Sequence, residues 1–129
     1  MRPMTAGLES LVNSGTMQLT LYARVTLDGG VNDISGGQLL AQGGGRITVV
    51  GAAGGGIATL TDGGIVDFKG SATLSTTTNA VFIGSTIEHL ILGNSVRFAG
   101  SVAGMEAGDT IDLTDIAFAA NKAPPIWAT

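Results

Sequence analysis

The apolar residues of this chain fall into short runs of Val, Ile, Leu and Ala, most of them closed by Gly, Asn or Asp. Aliphatic and β-branched runs set between turn residues predict strands, here over residues 17–27, 46–50, 57–61, 65–68, 72–75, 80–83, 89–92, 96–98 and 110–113. From Arg46 onward most of these strands begin seven to eleven residues after the one before. Short strands at that spacing, parted by glycine turns, point to a solenoid, a barrel or a sandwich. No segment carries a capped 3.6-residue apolar period. Residues 4–13, in which Leu8, Leu11 and Val12 share a helical face, are compatible with one or two helical turns.

An internal repeat helps to choose among these folds. Asp28-Gly29-Gly30-Val31-Asn32-Asp33-Ile34-Ser35-Gly36 matches Asp62-Gly63-Gly64-Ile65-Val66-Asp67-Phe68-Lys69-Gly70 at an offset of 34 residues, and residues 94–100 form a degenerate third copy. Imperfect repeats of a few strands each are what a stacked coil produces, and Gly-Gly after Asp permits the positive φ values of tight corners. The expected fold is therefore all-β, a parallel β-helix or β-solenoid, with a β-sandwich as the alternative. Residues 1–120 are expected to form a single solenoid-like domain. Residues 121–129, with Pro124, Pro125 and Trp127, form an irregular tail, because proline cannot donate to a strand ladder.

Composition narrows the function classes. The chain has 44% hydrophobic but only 12% charged residues, which argues against disorder, and 5% aromatics, so its core must be narrow and aliphatic. A net charge of -4, with six scattered basic residues, speaks against a nucleic-acid partner. The absence of cysteine excludes disulfides, zinc-thiolate sites and thiol nucleophiles. No run of apolar residues is long enough for a transmembrane helix, and no apolar segment behind Met1-Arg2-Pro3-Met4 reads as a signal peptide.

One stretch carries a resemblance. Phe98-Ala99-Gly100-Ser101-Val102-Ala103-Gly104-Met105-Glu106-Ala107-Gly108-Asp109-Thr110-Ile111-Asp112-Leu113-Thr114-Asp115-Ile116-Ala117-Phe118 resembles the end of a glycine-rich repeat in large α-proteobacterial surface proteins, among them autotransporter-like and type-I-secreted adhesins. The glycine-spaced residues 56–70 look similar to the same repeats. The resemblance implies a β-solenoid at the cell surface or outside the cell, with a structural or adhesive role and a surface glycan or a protein as ligand.

Candidate chemistry is sparse. Asp28, Asp33, Asp62 and Asp67 would form carboxylate ladders if the repeats stacked, and calcium is the cofactor such ladders would hold; turn formation is the favoured role for them. Asp109, Asp112 and Asp115 lie three apart, but on a strand of period two they do not converge. His89 stands alone beside Glu88, too little for a transition-metal site. No Ser sits in a G-x-S-x-G turn. Paired carboxylates would suit a carbohydrate-active β-helix hydrolase or lyase, yet sugar-stacking aromatics are nearly missing. Thr59-Leu60-Thr61 and Thr76-Thr77-Thr78 are steps of the kind an ice-binding face repeats. The expected role is thus a structural or adhesive module rather than an enzyme. The terminal coils lack an evident polar cap, so homo-oligomers are expected through their open edges.

Overall fold

Alternation sets the architecture. In the computed structural model, which describes residues 7–8, 11–20, 22–33, 36–84 and 86–116, short strands wind into a parallel β-solenoid. One coil comprises β1 (Gly7–Leu8), β2 (Leu11–Asn13) and β3 (Thr16–Leu19). It is followed by β4 (Arg24–Leu27), β5 (Val31–Asp33) and β6 (Gln38–Ala41), then by β7 (Arg46–Val49), β8 (Ala53–Gly54) and β9 (Ile57–Thr61). Beyond these lie β10 (Ile65–Phe68) and β11 (Asn79–Ile83), β12 (His89–Leu92) and β13 (Val102–Ala103), and β14 (Thr110–Leu113).

The coils stack as three parallel sheets. Sheet A has the order β1-β4-β7-β10-β12-β14, sheet B β2-β5-β8, and sheet C β13-β11-β9-β6-β3. Down sheet A, Arg24, Arg46, Ile65, His89 and Thr110 lie in register, at steps of 22, 19, 24 and 21 residues. Every second side chain turns inward. Val25, Ile47, Val66 and Leu90 form one buried row, and Leu27, Val49, Phe68 and Leu92 form a second. Sheet C faces them with Leu39, Ala58 and Ala80 and with Ala41, Leu60 and Phe82. Apart from Phe68 and Phe82 these rows are aliphatic, in keeping with the composition.

The corners depart from the sequence expectation. Residues 17–27 are not one strand: the chain turns between β3 and β4, where Tyr22 has φ 64°. Residues 72–75 form a loop, because the Ser71 hydroxyl accepts the N–H groups of Thr73 (3.2 Å) and Leu74 (3.1 Å) in place of a ladder. Residues 96–98 enter a 3-10 turn (Ser95–Arg97), after which Phe98 bridges to Thr76. The helical turns considered for residues 4–13 do not form at Gly7–Leu8 or Leu11–Asn13, which are strands paired to β4 and β5; residues 4–6 and 9–10 lie outside the described residues. Residues 117–129, and with them the expected tail, also lie outside the described residues.

Two glycines show how tightly coils approach at corners. A Cβ on Gly64 would stand 2.0 Å from the Ala41 carbonyl oxygen. Gly30, at φ 91°, would place one 2.4 Å from the oxygen of Ala52. No side chain fits at either point.

Candidate functional site

The 34-residue repeat is not the coil repeat. Asp28-Gly29 turns the corner between β4 and β5, whereas Asp62-Gly63 turns the corner between β9 and β10. Asp33 belongs to sheet B, in register with Asn13, and its side chain is outside the described residues; Asp67 belongs to sheet A, in register with Thr48 and Ile91. The register therefore sets neither Asp28 over Asp62 nor Asp33 over Asp67. The D-G-G motif recurs because it makes a tight corner, and a three-sided solenoid can use it at different corners. Among the described residues no group of three or more His, Asp or Glu side chains is placed to hold a metal ion.

Asp67 has other partners. Its carboxylate is almost fully buried on the outer face of sheet A, and Oδ2 receives Arg46 at 3.0 Å and Lys69 at 3.3 Å. Oδ1 has no hydrogen-bond partner among the described residues. One carboxylate thus ties β10 to β7, a use of charge that burial makes costly to disrupt.

The acids of the last coil act in the same way. Asp109 accepts the N–H of Glu106 at 2.9 Å through one oxygen and that of Glu88 at 3.1 Å through the other. The Glu106 N–H above all, with Glu88 and the nearby His89 adding to it, holds the Asp109 carboxyl below the usual range against a smaller opposing effect of burial. Asp115 accepts both the N–H (2.9 Å) and the hydroxyl (3.0 Å) of Ser95. These two carboxylates staple β14 onto the coil beneath, and Asp112 between them points out from sheet A.

His89 pairs through Nδ1 with the Thr110 hydroxyl, its in-register neighbour. Glu88, which the sequence reading passed over as a neighbour of His89, is completely buried. Its Oε2 takes the Thr86 hydroxyl and, at 3.4 Å, the N–H of Gly63 on the coil below. Oε1 is left without a partner among the described residues. Nothing in the sequence marks this residue, because its burial comes from the coil stacked against it.

The threonine steps do not form ranks. Thr59 and Thr61 lie on the outer side of sheet C, in register with Val81 and Ile83. Thr76 and Thr78 are buried, where Thr76 accepts the Ala53 N–H at 3.4 Å and Thr78 donates to the Gly55 carbonyl at 2.8 Å. An open groove of about 450 Å³ crosses sheet B between Val12 and Leu74, floored by Gly30, Asn32 and Gly54; none of the described residues that line it is titratable.

The feature with the clearest chemical capacity is the edge of β14. Thr110 donates to the Glu88 carbonyl and Thr114 to that of Leu92, so in this parallel ladder the backbone groups of Ile111 and Leu113 face away from β12. All four residues of β14 are exposed, including Ile111 at 37% and Leu113 at 38%, although their row-mates Leu90 and Leu92 are buried. An unpaired edge of this kind is a template on which another strand can pair. Among the described residues no helix is long and apolar enough to cross a membrane. Comparison with protein-family models, curated proteins and solved structures returned no match for this chain.

Proposed function

We propose that this chain is a structural, self-associating repeat module of a bacterial surface or secreted protein. The observation that carries the reading is the edge of β14, which pairs with no further strand among the described residues and leaves inner-row Ile111 and Leu113 more than a third exposed. The other chemistry-bearing side chains support it by their engagement: Asp67, Asp109, Asp115 and Glu88 each make contacts that join one coil to another. The likeness of residues 98–118 to the repeat ends of α-proteobacterial adhesins supports an extracellular setting. In that setting a stiff stack serves as a spacer or as a face presented to a surface glycan or protein.

The test is size-exclusion chromatography with light scattering, run with calcium and with chelator. A discrete oligomer unchanged by calcium supports the module reading. A monomer at every concentration rejects it. An oligomer that forms only with calcium rejects it in favour of a calcium-dependent assembly, whose ligands would not be the ladders of Asp28 with Asp62 and Asp33 with Asp67, since the register does not stack them.

A further inference from the structure

Tyr22 is out of place as a corner residue. It precedes Arg24 by two positions, as Gly44 precedes Arg46 and Gly63 precedes Ile65, and Arg24, Arg46 and Ile65 lie in register. All three corner residues have left-handed backbones, with φ of 64°, 74° and 79°. Glycine takes that conformation without strain, whereas a bulky side chain does not. The turn itself does not call for a tyrosine, and the next two coils do without one. The Tyr22 ring lies against the following corner, where a Cβ on Gly44 would stand 2.5 Å from its Cε1 atom. That contact still leaves Tyr22 73% exposed.

The charges beside the ring are unevenly paired. Arg24, Arg46 and Lys69, three of the six basic residues in a chain of net charge -4, share the outer face of sheet A. Arg46 reaches Asp67, which stands two residues beyond its register partner Ile65. The same step from Arg24 leads past Arg46 to Thr48, which has no charge. The ion pairs formed among the described residues are those of Asp67 with Arg46 and Lys69, so the exposed Arg24 has no acid there. An external carboxylate or sulfate can take the place beside Arg24 that Asp67 takes beside Arg46.

We infer that the outer face of sheet A at Tyr22, Arg24 and Arg46 binds an acidic polysaccharide, with a sugar ring stacked on Tyr22 and its carboxylate or sulfate paired with Arg24. This rests on the reading of the stack as a face presented to a surface glycan and names the chemistry of that glycan. A tyrosine ring offers an apolar body with a polar tip, which suits the C–H face and the hydroxyls of a sugar. Neighbouring strands stand about 4.8 Å apart, close to the length of one sugar residue, so successive sugars can follow the coils of Arg24 and Arg46. Farther along the same face stands Asp112, in register with Ile91, whose charge repels an anion from the β14 end. The bound stretch is short and confined to the coils of the two arginines.

Stacking also serves single-stranded nucleic acid, and the test separates the two. The full chain is titrated calorimetrically, at low salt and with chelator, with polygalacturonate, dextran sulfate, neutral dextran and single-stranded DNA. Polygalacturonate or dextran sulfate is expected to bind, the tighter one naming the acid as carboxylate or sulfate, and neutral dextran is not. Arg24→Gln is expected to weaken binding about tenfold, and Tyr22→Gly about threefold to tenfold. Tyr22→Gly installs the residue that the next two coils use, so its thermal midpoint is expected to hold. Arg97→Gln removes an equal charge from the 3-10 turn, away from this face, and is expected to leave the affinity unchanged.

DNA bound as tightly as either acidic polysaccharide overturns the inference in favour of general attraction for polyanions. So does an affinity that Arg97→Gln lowers as much as Arg24→Gln. An affinity unchanged by Tyr22→Gly overturns the sugar contact. A chain that self-associates but binds neither acidic polysaccharide overturns the inference and leaves the structural module standing. A chain that binds through Tyr22 and Arg24 yet stays monomeric supports it and rejects self-association alone.

Discussion

Leu113 lies in register on Leu92, yet Leu92 is 6% exposed and Leu113 38%. The two residues occupy the same inner row; among the described residues a strand is paired beyond Leu92 and none beyond Leu113. Burial in a solenoid is supplied by the next coil, so a residue's contribution depends on its place in the stack as much as on its type.

Truncation along one inner row should therefore have unequal effects. Leu90→Ala, in a fully buried position, is expected to cost about 2–5 kcal/mol. Leu113→Ala in dilute protein is expected to cost about 1 kcal/mol, since much of its surface is already wet. Urea unfolding of the two variants against the wild type measures the difference, and equal losses would mean that β14 is covered in the monomer.

Gly64 is a steric position. The Ala41 carbonyl occupies the place of a side chain there, so Gly64→Ala must push β9–β10 and β6–β7 corners apart. A loss of about 1–3 kcal/mol is expected, read as a lower thermal midpoint. Gly36→Ala makes an informative comparison, because a Cβ there meets nothing within 4 Å and only its φ of 77° opposes the change.

The Asp67 cluster predicts a non-additive pair. Arg46→Met leaves the buried Asp67 carboxylate with Lys69 alone and is expected to cost about 3 kcal/mol. Adding Asp67→Leu removes the charge that was stranded, and the double variant should recover much of that loss. A double-mutant cycle that sums without coupling would show that the ion pair makes no net contribution.

Asp109 gives the stack a pH dependence. Its carboxyl is held below the unfolded value by the Glu106 N–H first and the Glu88 N–H after it. The stabilisation is present above the unfolded carboxylate value of about 3.9 and is lost as pH falls through the lower folded value. Asp109→Asn should consequently be less stable than the wild type at neutral pH, and the gap should close in acid. Thermal unfolding from neutral pH downward measures it, and a gap that stayed constant would mean that the charge is not what Asp109 contributes.

Much of the fold was legible and much of the surface was not. The runs Ile65–Phe68 and His89–Leu92 are aliphatic enough to announce strands, and glycine spacing announced the solenoid. Val31–Asp33, Ala53–Gly54 and Val102–Ala103 escaped notice because strands of two or three residues leave no pattern to read, and Gln38–Ala41 because, although as long as Ile65–Phe68, it has no β-branched residue and sits in a glycine-rich stretch. The D-G-G motif misled because corner chemistry is local: it says that the chain turns, not at which of three corners. Glu88 and Thr78 look like surface residues in sequence and are buried by neighbours about one coil away. The open edge was least legible of all, since Thr-Ile-Asp-Leu reads like any inner strand and only its place in the stack exposes it.

The most direct measurement is hydrogen exchange at the β14 amides as protein concentration is raised. In dilute protein the Thr110 and Thr114 amides, bonded to Glu88 and Leu92, should be protected, while those of Ile111 and Leu113 exchange freely. On concentration the Ile111 and Leu113 amides should gain protection together. Equal protection of all four amides at every dilution would mean that the edge is closed within the monomer, and Ile111 and Leu113 amides that stay unprotected at high concentration would mean that β14 is not where copies meet.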